Sequence, residues 1–386
     1  MFRMAVGHSD DVDPQDAIAA AIEQCRAGLG GLTPQAGILF SSFDSFDAVV
    51  TAAVRAQFPG VRLIGSTSAA QVSSVIGFQE DSIALALFAS DSVDITAGMG
   101  TGLGHDVEAA CKAAVDQASA ATDKEPKVCV VLTEAFVVDP QLSLDAIARL
   151  LPKGVLLVGG TSARGDFVTV RPTYQLCDDA VATDGVALLL FSGPLAHSIA
   201  VGTGWKPLGP KGTVTRSTRG AVQEIDGSPA IEFLKPYLDV TGPSTYGNPF
   251  AVSEQGSDGF YLRAIQGSDP ESGAVRLAGS VPVGATVQLT TANTNAVLAG
   301  TEAALGRAVD AFPSGAQPEA ALIFSCSVRK FVLGSRTQVE SQLAGKVLGT
   351  ALPFAGMYCY GEIGPVEGAA TSRFLNENFV TVLLGT

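Results

Sequence analysis

Pro59-Gly60-Val61-Arg62-Leu63-Ile64-Gly65-Ser66-Thr67-Ser68-Ala69 and Pro152-Lys153-Gly154-Val155-Leu156-Leu157-Val158-Gly159-Gly160-Thr161-Ser162-Ala163 are two copies of one phrase. Each reads as a helix stop, a short apolar run, then glycine and small hydroxyl residues. Apolar runs of that length between glycines fit buried strands. Aligning Gly65 with Gly159 gives an offset of 159 − 65 = 94. The flanks repeat in the same order. A strand Ala36–Phe40, a helix from Phe46 to Gln57 and a strand Ser82–Phe88 surround the first copy. A strand Lys127–Leu132, a helix Leu142–Leu151 and a strand Gly185–Phe191 surround the second. So long an offset indicates a doubled domain rather than a solenoid.

Working outward, a looser third copy appears near the end. Ala321–Phe324 predicts a strand that breaks at Ser325-Cys326-Ser327-Val328-Arg329. A helix around Val339–Leu348 follows, then a strand Phe354–Tyr358 ending in Cys359-Tyr360-Gly361-Glu362-Ile363-Gly364-Pro365. Asn378–Gly385 takes the place of the closing strand. Between the copies, Phe250–Val252, Gly259–Ile265 and Gly284–Leu289 alternate as antiparallel strands do. Residues 13–29 and Asn293–Phe312 predict helices, the first capped at Asp13 or Asp16 with Pro14 in its first turn. The expectation is an α/β fold. Its N-terminal half, residues 1–230, is a duplicated strand–helix–strand unit (about 36–100 and 127–200) with mixed sheets. Its C-terminal half, residues 231–386, is α+β and holds the related unit.

The 386 residues are 47% hydrophobic and 16% charged. The charged share lies below the usual ~25%, so much of the chain is expected to be buried. The net charge of −14 opposes nonspecific nucleic-acid binding and an anionic membrane surface. No apolar run reaches the length of a membrane span, and the acidic N-terminus is no signal peptide. Six cysteines stand in apolar contexts, with no C-x-x-C and no histidine at metal-ligand spacing. A reduced, cytoplasmic chain without metal or cofactor is the expectation.

The strand ends carry the candidate chemistry. Glu362, held between glycines, suits a ligand ammonium; the alternative is a solvated turn residue or one partnered by an internal arginine. Arg329 and Arg263 stand at strand ends and suit a ligand carboxylate; the alternative is an internal ion pair, for Arg329 with Glu362 itself. Tyr360, Tyr246, Asn248, Ser327 and Cys326 would shape the pocket. Ser66, Thr67, Thr161 and Ser162, with Arg164 beyond them, form hydroxyl clusters that either hold an anion or cap the next segment. A Cys326 or Cys359 nucleophile would need a histidine base, and His197 is the candidate. No dinucleotide fingerprint, P-loop or G-x-S-x-G elbow occurs.

The two phrases at Pro59–Ala69 and Pro152–Ala163 resemble the turns of FIST N-terminal domains. Tyr246-Gly247-Asn248-Pro249, Tyr261-Leu262-Arg263, Ile323–Arg329 and Tyr360-Gly361-Glu362-Ile363-Gly364 resemble the FIST C-terminal domain. The resemblance covers nearly the whole chain from Ala36 onward. It implies a bacterial intracellular sensory module that binds a small ligand such as an amino acid; with the strand-end residues above, the expectation is binding of a small polar or zwitterionic metabolite without turnover. No output domain follows in this sequence, so the expectation is that any signal passes to a separate signalling protein or is absent. A branch similar to FIST proteins binds haem through a histidine; here His8, His105 and His197 all lie outside these motifs.

Overall fold

The computed structural model describes every residue except 47, 166–171, 239–246, 257–258 and 367–370. The repeated phrase occurs three times as a complete unit. Each unit runs strand, helix, strand, helix, strand, arm, strand. The first has strands Phe2–Ser9, Ala36–Ser41, Arg62–Thr67 and Ile83–Ser90, with helices Pro14–Leu29 and Ala48–Gln57. The second has strands Asp94–Thr101, Pro126–Thr133, Leu156–Thr161 and Gly185–Ser192, with helices Val107–Ser119 and Pro140–Leu150. The third has strands Ala196–Gly202, Pro318–Cys326, Phe354–Cys359 and Phe379–Gly385, with helices Thr294–Asp310 and Gln338–Leu348. An antiparallel sheet built from Lys206–Thr218 to Thr286–Thr291 is inserted between the third unit's first strand and its first helix. The third sheet therefore draws strands from both sides of residue 230.

Pairing is the same in all three units. The last strand lies antiparallel between the first and second strands, and the second and third are parallel. Beyond the third strand each sheet is completed by another unit's arm. The first unit's arm, Ala70–Ser73 with Gly77–Gln79, pairs with the third unit's Phe354–Cys359. The second unit's arm, Gln175–Cys177 with Ala180–Ala182, pairs with the first unit's Arg62–Thr67. The third unit's arm, Glu362–Pro365 with Ser372–Leu375, pairs with the second unit's Leu156–Thr161. The exchange is cyclic and leaves none of these third strands as an open edge, with its backbone groups unpaired.

The arms enter tightly. At Gly160, opposite Glu362, a Cβ would stand 2.7 Å from Cys359 Sγ, so the strand end is written in glycine. The inner faces of the three sheets share one core, with Phe40 and Phe324 edge to face at 6.3 Å. The helices cover the outer faces with separate clusters. Helix Pro14–Leu29 begins where Asp13 accepts the N–H groups of Gln15 and Asp16, as its sequence signals. The strand Phe2–Ser9, the helices Val107–Ser119 and Ser327–Leu333 and the arms are elements not expected from the sequence. Among the described residues no helix is long and apolar enough to cross a membrane.

Candidate functional site

The three arms carry equivalent buried side chains. Gln71 Oε1 accepts the Ser82 N–H at 3.2 Å and Gln175 Oε1 accepts the Gly185 N–H at 2.9 Å. Glu362 Oε2 accepts the Asn378 N–H at 2.9 Å. Each ties its arm to the start of its own unit's last strand. Where two units use a glutamine, the third uses an acid. That acid is fully buried, which pushes its carboxyl up to about 8 against the pull of the Asn378 N–H. Near neutrality Glu362 is thus mostly protonated and acts much as a glutamine would. It does not stand open to a ligand amine, as its place between glycines suggested.

Arg329 is also interior, on helix Ser327–Leu333 rather than at an open strand end. Its guanidinium meets Glu340 Oε1 at 2.7 and 3.1 Å. It further donates to Thr301 Oγ1, to Thr203 O and to Val297 O. The internal ion pair is therefore with Glu340, not Glu362. Burial opposes the charge on Glu340, but Arg329, Thr301 and Tyr358 outweigh it and hold the carboxyl below its ordinary value. Arg263 is 1% exposed; it donates to the carbonyls of Leu262, Phe374 and Ser280 and lies 4.5 Å over the Tyr261 ring. Neither guanidinium is left for a ligand carboxylate.

The remaining candidates divide. Cys326 and Cys359 are buried register partners, and burial with the nearby Glu362 raises both thiols well above their ordinary value. His197 pairs with Leu384, six residues along the strand from Asn378, whose carbonyl accepts the Cys326 N–H. At a strand's rise that is about 20 Å, too far for a Cys–His pair. His8 is clamped between Ser73 and Ser82 hydroxyls at 2.8 Å each, and burial lowers it to about 4. Asn248 donates to Thr290 O, and Ser327 begins a helix with its hydroxyl buried. Ser66 Oγ donates to Ser162 Oγ at 2.9 Å, and Thr67 Oγ1 accepts the Tyr174 N–H, so these hydroxyls tie the units together. Arg164 is stacked over Phe43. Tyr246 lies outside the described residues.

Sequence reading missed Glu377. It precedes the last strand with φ 59, a left-handed backbone uncommon for this residue. Its carboxyl oxygens are buried without a hydrogen-bond partner among the described residues. Burial and the neighbouring Glu362 raise it well above its ordinary value.

Tyr360 and Thr161 are brought together, at an open cavity of ≈ 350 Å³. The loop after Pro126–Thr133 forms one side with Phe136, Val137 and Asp139; the inserted sheet forms another with Arg219, Gln266 and Leu277. Phe136 and Tyr360 rings stand 5.3 Å apart. Glu134 shapes the loop by accepting the N–H groups of Phe136 and Val137. Asp139 accepts the N–H of Gln141 at 3.0 Å and of Ser280 at 2.9 Å, joining helix Pro140–Leu150 to the inserted sheet. A second cavity of ≈ 540 Å³ shares Asp139 and Arg219 and reaches Glu254, Tyr261 and Arg373. There Arg373 grips Glu254 with two bonds of 2.6 and 2.8 Å. Arg219, in the hairpin turn before Gly220, is exposed and has no ion-pair or hydrogen-bond partner among the described residues. As a turn residue it gave no sequence signal; only its position between two cavities marks it. No group of three or more metal-ligating side chains occurs among the described residues.

The chain is 27% identical over 397 aligned positions to an uncharacterized protein of Mycobacterium tuberculosis (strain CDC 1551 / Oshkosh), covering 95% of this chain and 96% of that one. It is 24% identical over 394 positions to an uncharacterized protein of Mycobacterium bovis, covering 95% of each. Among solved structures, a cyanuric acid hydrolase aligns over 100% of this chain and 99% of its own at 9% identity and TM-score 0.37. Thermotoga maritima PurL complexed with AMPPCP aligns over 100% and 72% at 13% identity and TM-score 0.23. Likeness that loose bears on neither fold nor chemistry. The FIST N domain matches residues 35–228 and the FIST C domain residues 230–365, so this chain belongs to the FIST family of sensory domains.

Proposed function

We propose that the cleft between the second unit and the inserted sheet binds a small amino-acid-like metabolite, and that the protein senses this ligand without turning it over. Arg219 takes the ligand carboxylate, and the Asp139 carboxylate faces its amine. Phe136, Tyr360 and Phe374 cover its body, with Thr161 at the floor. The observation that carries this is the unpartnered Arg219 guanidinium lining a cavity of ≈ 350 Å³ beside an aromatic wall. A cavity of that volume suits a small metabolite. Among the described lining residues there is no cysteine, histidine or lysine, which favours binding over covalent chemistry. The bound state would be passed to a separate signalling protein.

A thermal-shift screen of the common amino acids tests this. One compound should raise the melting temperature, since a ligand that binds only the folded form stabilises it by mass action. Arg219→Ala should abolish that shift while leaving the unliganded melting temperature within about 1 °C, as surface substitutions usually change stability by no more than about 0.5 kcal/mol. A shift that survives in Arg219→Ala removes the cleft from consideration.

A further inference from the structure

The threefold repeat supplies an internal picture of the ligand. Thr67 and Thr161 occupy equivalent strand ends: each donates its N–H to the residue before the arm's buried amide or acid, Tyr174 and Gly361 respectively. The loops facing them are equivalent too, since Ser41 pairs with Thr67 as Thr133 pairs with Thr161. At the first junction the space above the strand end is filled by the chain itself. Phe43 and Phe46 stack on Tyr174 at 5.2 and 5.7 Å. The Arg164 guanidinium lies 3.3 Å over the Phe43 ring. At the second junction the facing loop again offers an aromatic, Phe136, paired with Tyr360 at 5.3 Å. The corresponding space is the ≈ 350 Å³ cavity. By the same register Glu134 stands at the position of Ser42, and Asp139, which lines the cavity, at that of Asp47 in the sequence.

Resting on the binding role proposed for this cleft, we infer that its ligand presents a planar guanidinium to Phe136 and Tyr360, as Arg164 presents its own to Phe43. With the carboxylate on Arg219, the ligand class is a basic amino acid ending in a guanidinium. A cation over an aromatic face is attracted by the ring quadrupole, and a planar guanidinium also stacks. The neutral ureido isostere keeps the shape and loses the charge.

Calorimetric titration of the whole protein with arginine, citrulline and agmatine, alongside leucine and phenylalanine, tests this. Arginine should bind about tenfold more tightly than citrulline, the upper part of the range for a cation over a ring. Agmatine, which lacks the carboxylate, should bind more weakly than arginine, and Arg219→Ala should erase that difference. Phe136→Leu keeps an apolar side chain at an exposed site and should bring arginine down to the level of citrulline. Citrulline binding as tightly as arginine, or an arginine affinity unmoved by Phe136→Leu, overturns the guanidinium assignment. Leucine or phenylalanine binding in an Arg219-dependent way while arginine does not would overturn it and leave the cleft's binding role standing. If none of the five compounds binds, both fall.

Discussion

Replacing Glu362 by glutamine should make the protein more stable, increasingly so as pH rises. Gln71 and Gln175 already perform the same task in the other two units, accepting a backbone N–H at the start of a last strand. The Glu362 carboxyl sits at about 8 in the folded chain against an ordinary 4.5. Between those values the folded state holds a proton that the unfolded chain has released. Stability therefore falls as pH rises through this window and levels off above it. The slope is about 1.4 kcal/mol per pH unit, and across the whole window it amounts to about 5 kcal/mol as an upper figure. Glutamine has no proton to lose, so that component vanishes. Urea unfolding at pH 5, 6, 7 and 8 measures it: the two proteins should be close at pH 5 and diverge steadily toward pH 8. Parallel pH profiles, or a glutamine variant less stable at pH 8 than the parent, would refute the view of Glu362 as a protonated surrogate for glutamine.

Arg329→Met should destabilise by about 3–5 kcal/mol, because Glu340 would keep a buried charge without its partner; adding Glu340→Gln should recover much of the loss, read as a double-mutant cycle in urea. Gly160→Ala drives a Cβ to 2.7 Å from Cys359 Sγ and should cost about 1–3 kcal/mol, with amide exchange accelerating first in Glu362–Pro365.

The sequence exposed those features whose cause is local. The phrase at Pro59–Ala69 and its copy at Pro152–Ala163 announce strands by apolar runs between helix stops and glycines, and Asp13 announces a helix start. The arms were illegible because strands of three or four residues draw their stability from a sheet belonging to another unit. That partner has no trace in neighbouring residues. The same reason misdirected the site. Arg329 and Glu362 look exposed when only their own strand ends are considered, yet arms, the Thr294–Asp310 helix and Glu340 close over them. Tyr360 and Thr161 were singled out and do line the open cavity, but Arg219 and Phe136 join them only through folding. Aligning the two copies would not have found Phe136, which falls on Asp44, one position past Phe43.

The cyclic trade of arms bears on how the protein can come apart. The first unit's sheet is finished by the second, the second's by the third and the third's by the first. A chain cut near residue 230 would leave the second sheet without its last partner strand, the first unit's arm without a seat and Ala196–Gly202 without Phe379–Gly385. Like three people each seated on the knees of the next, the ring stands only when closed, and removing one member drops them all.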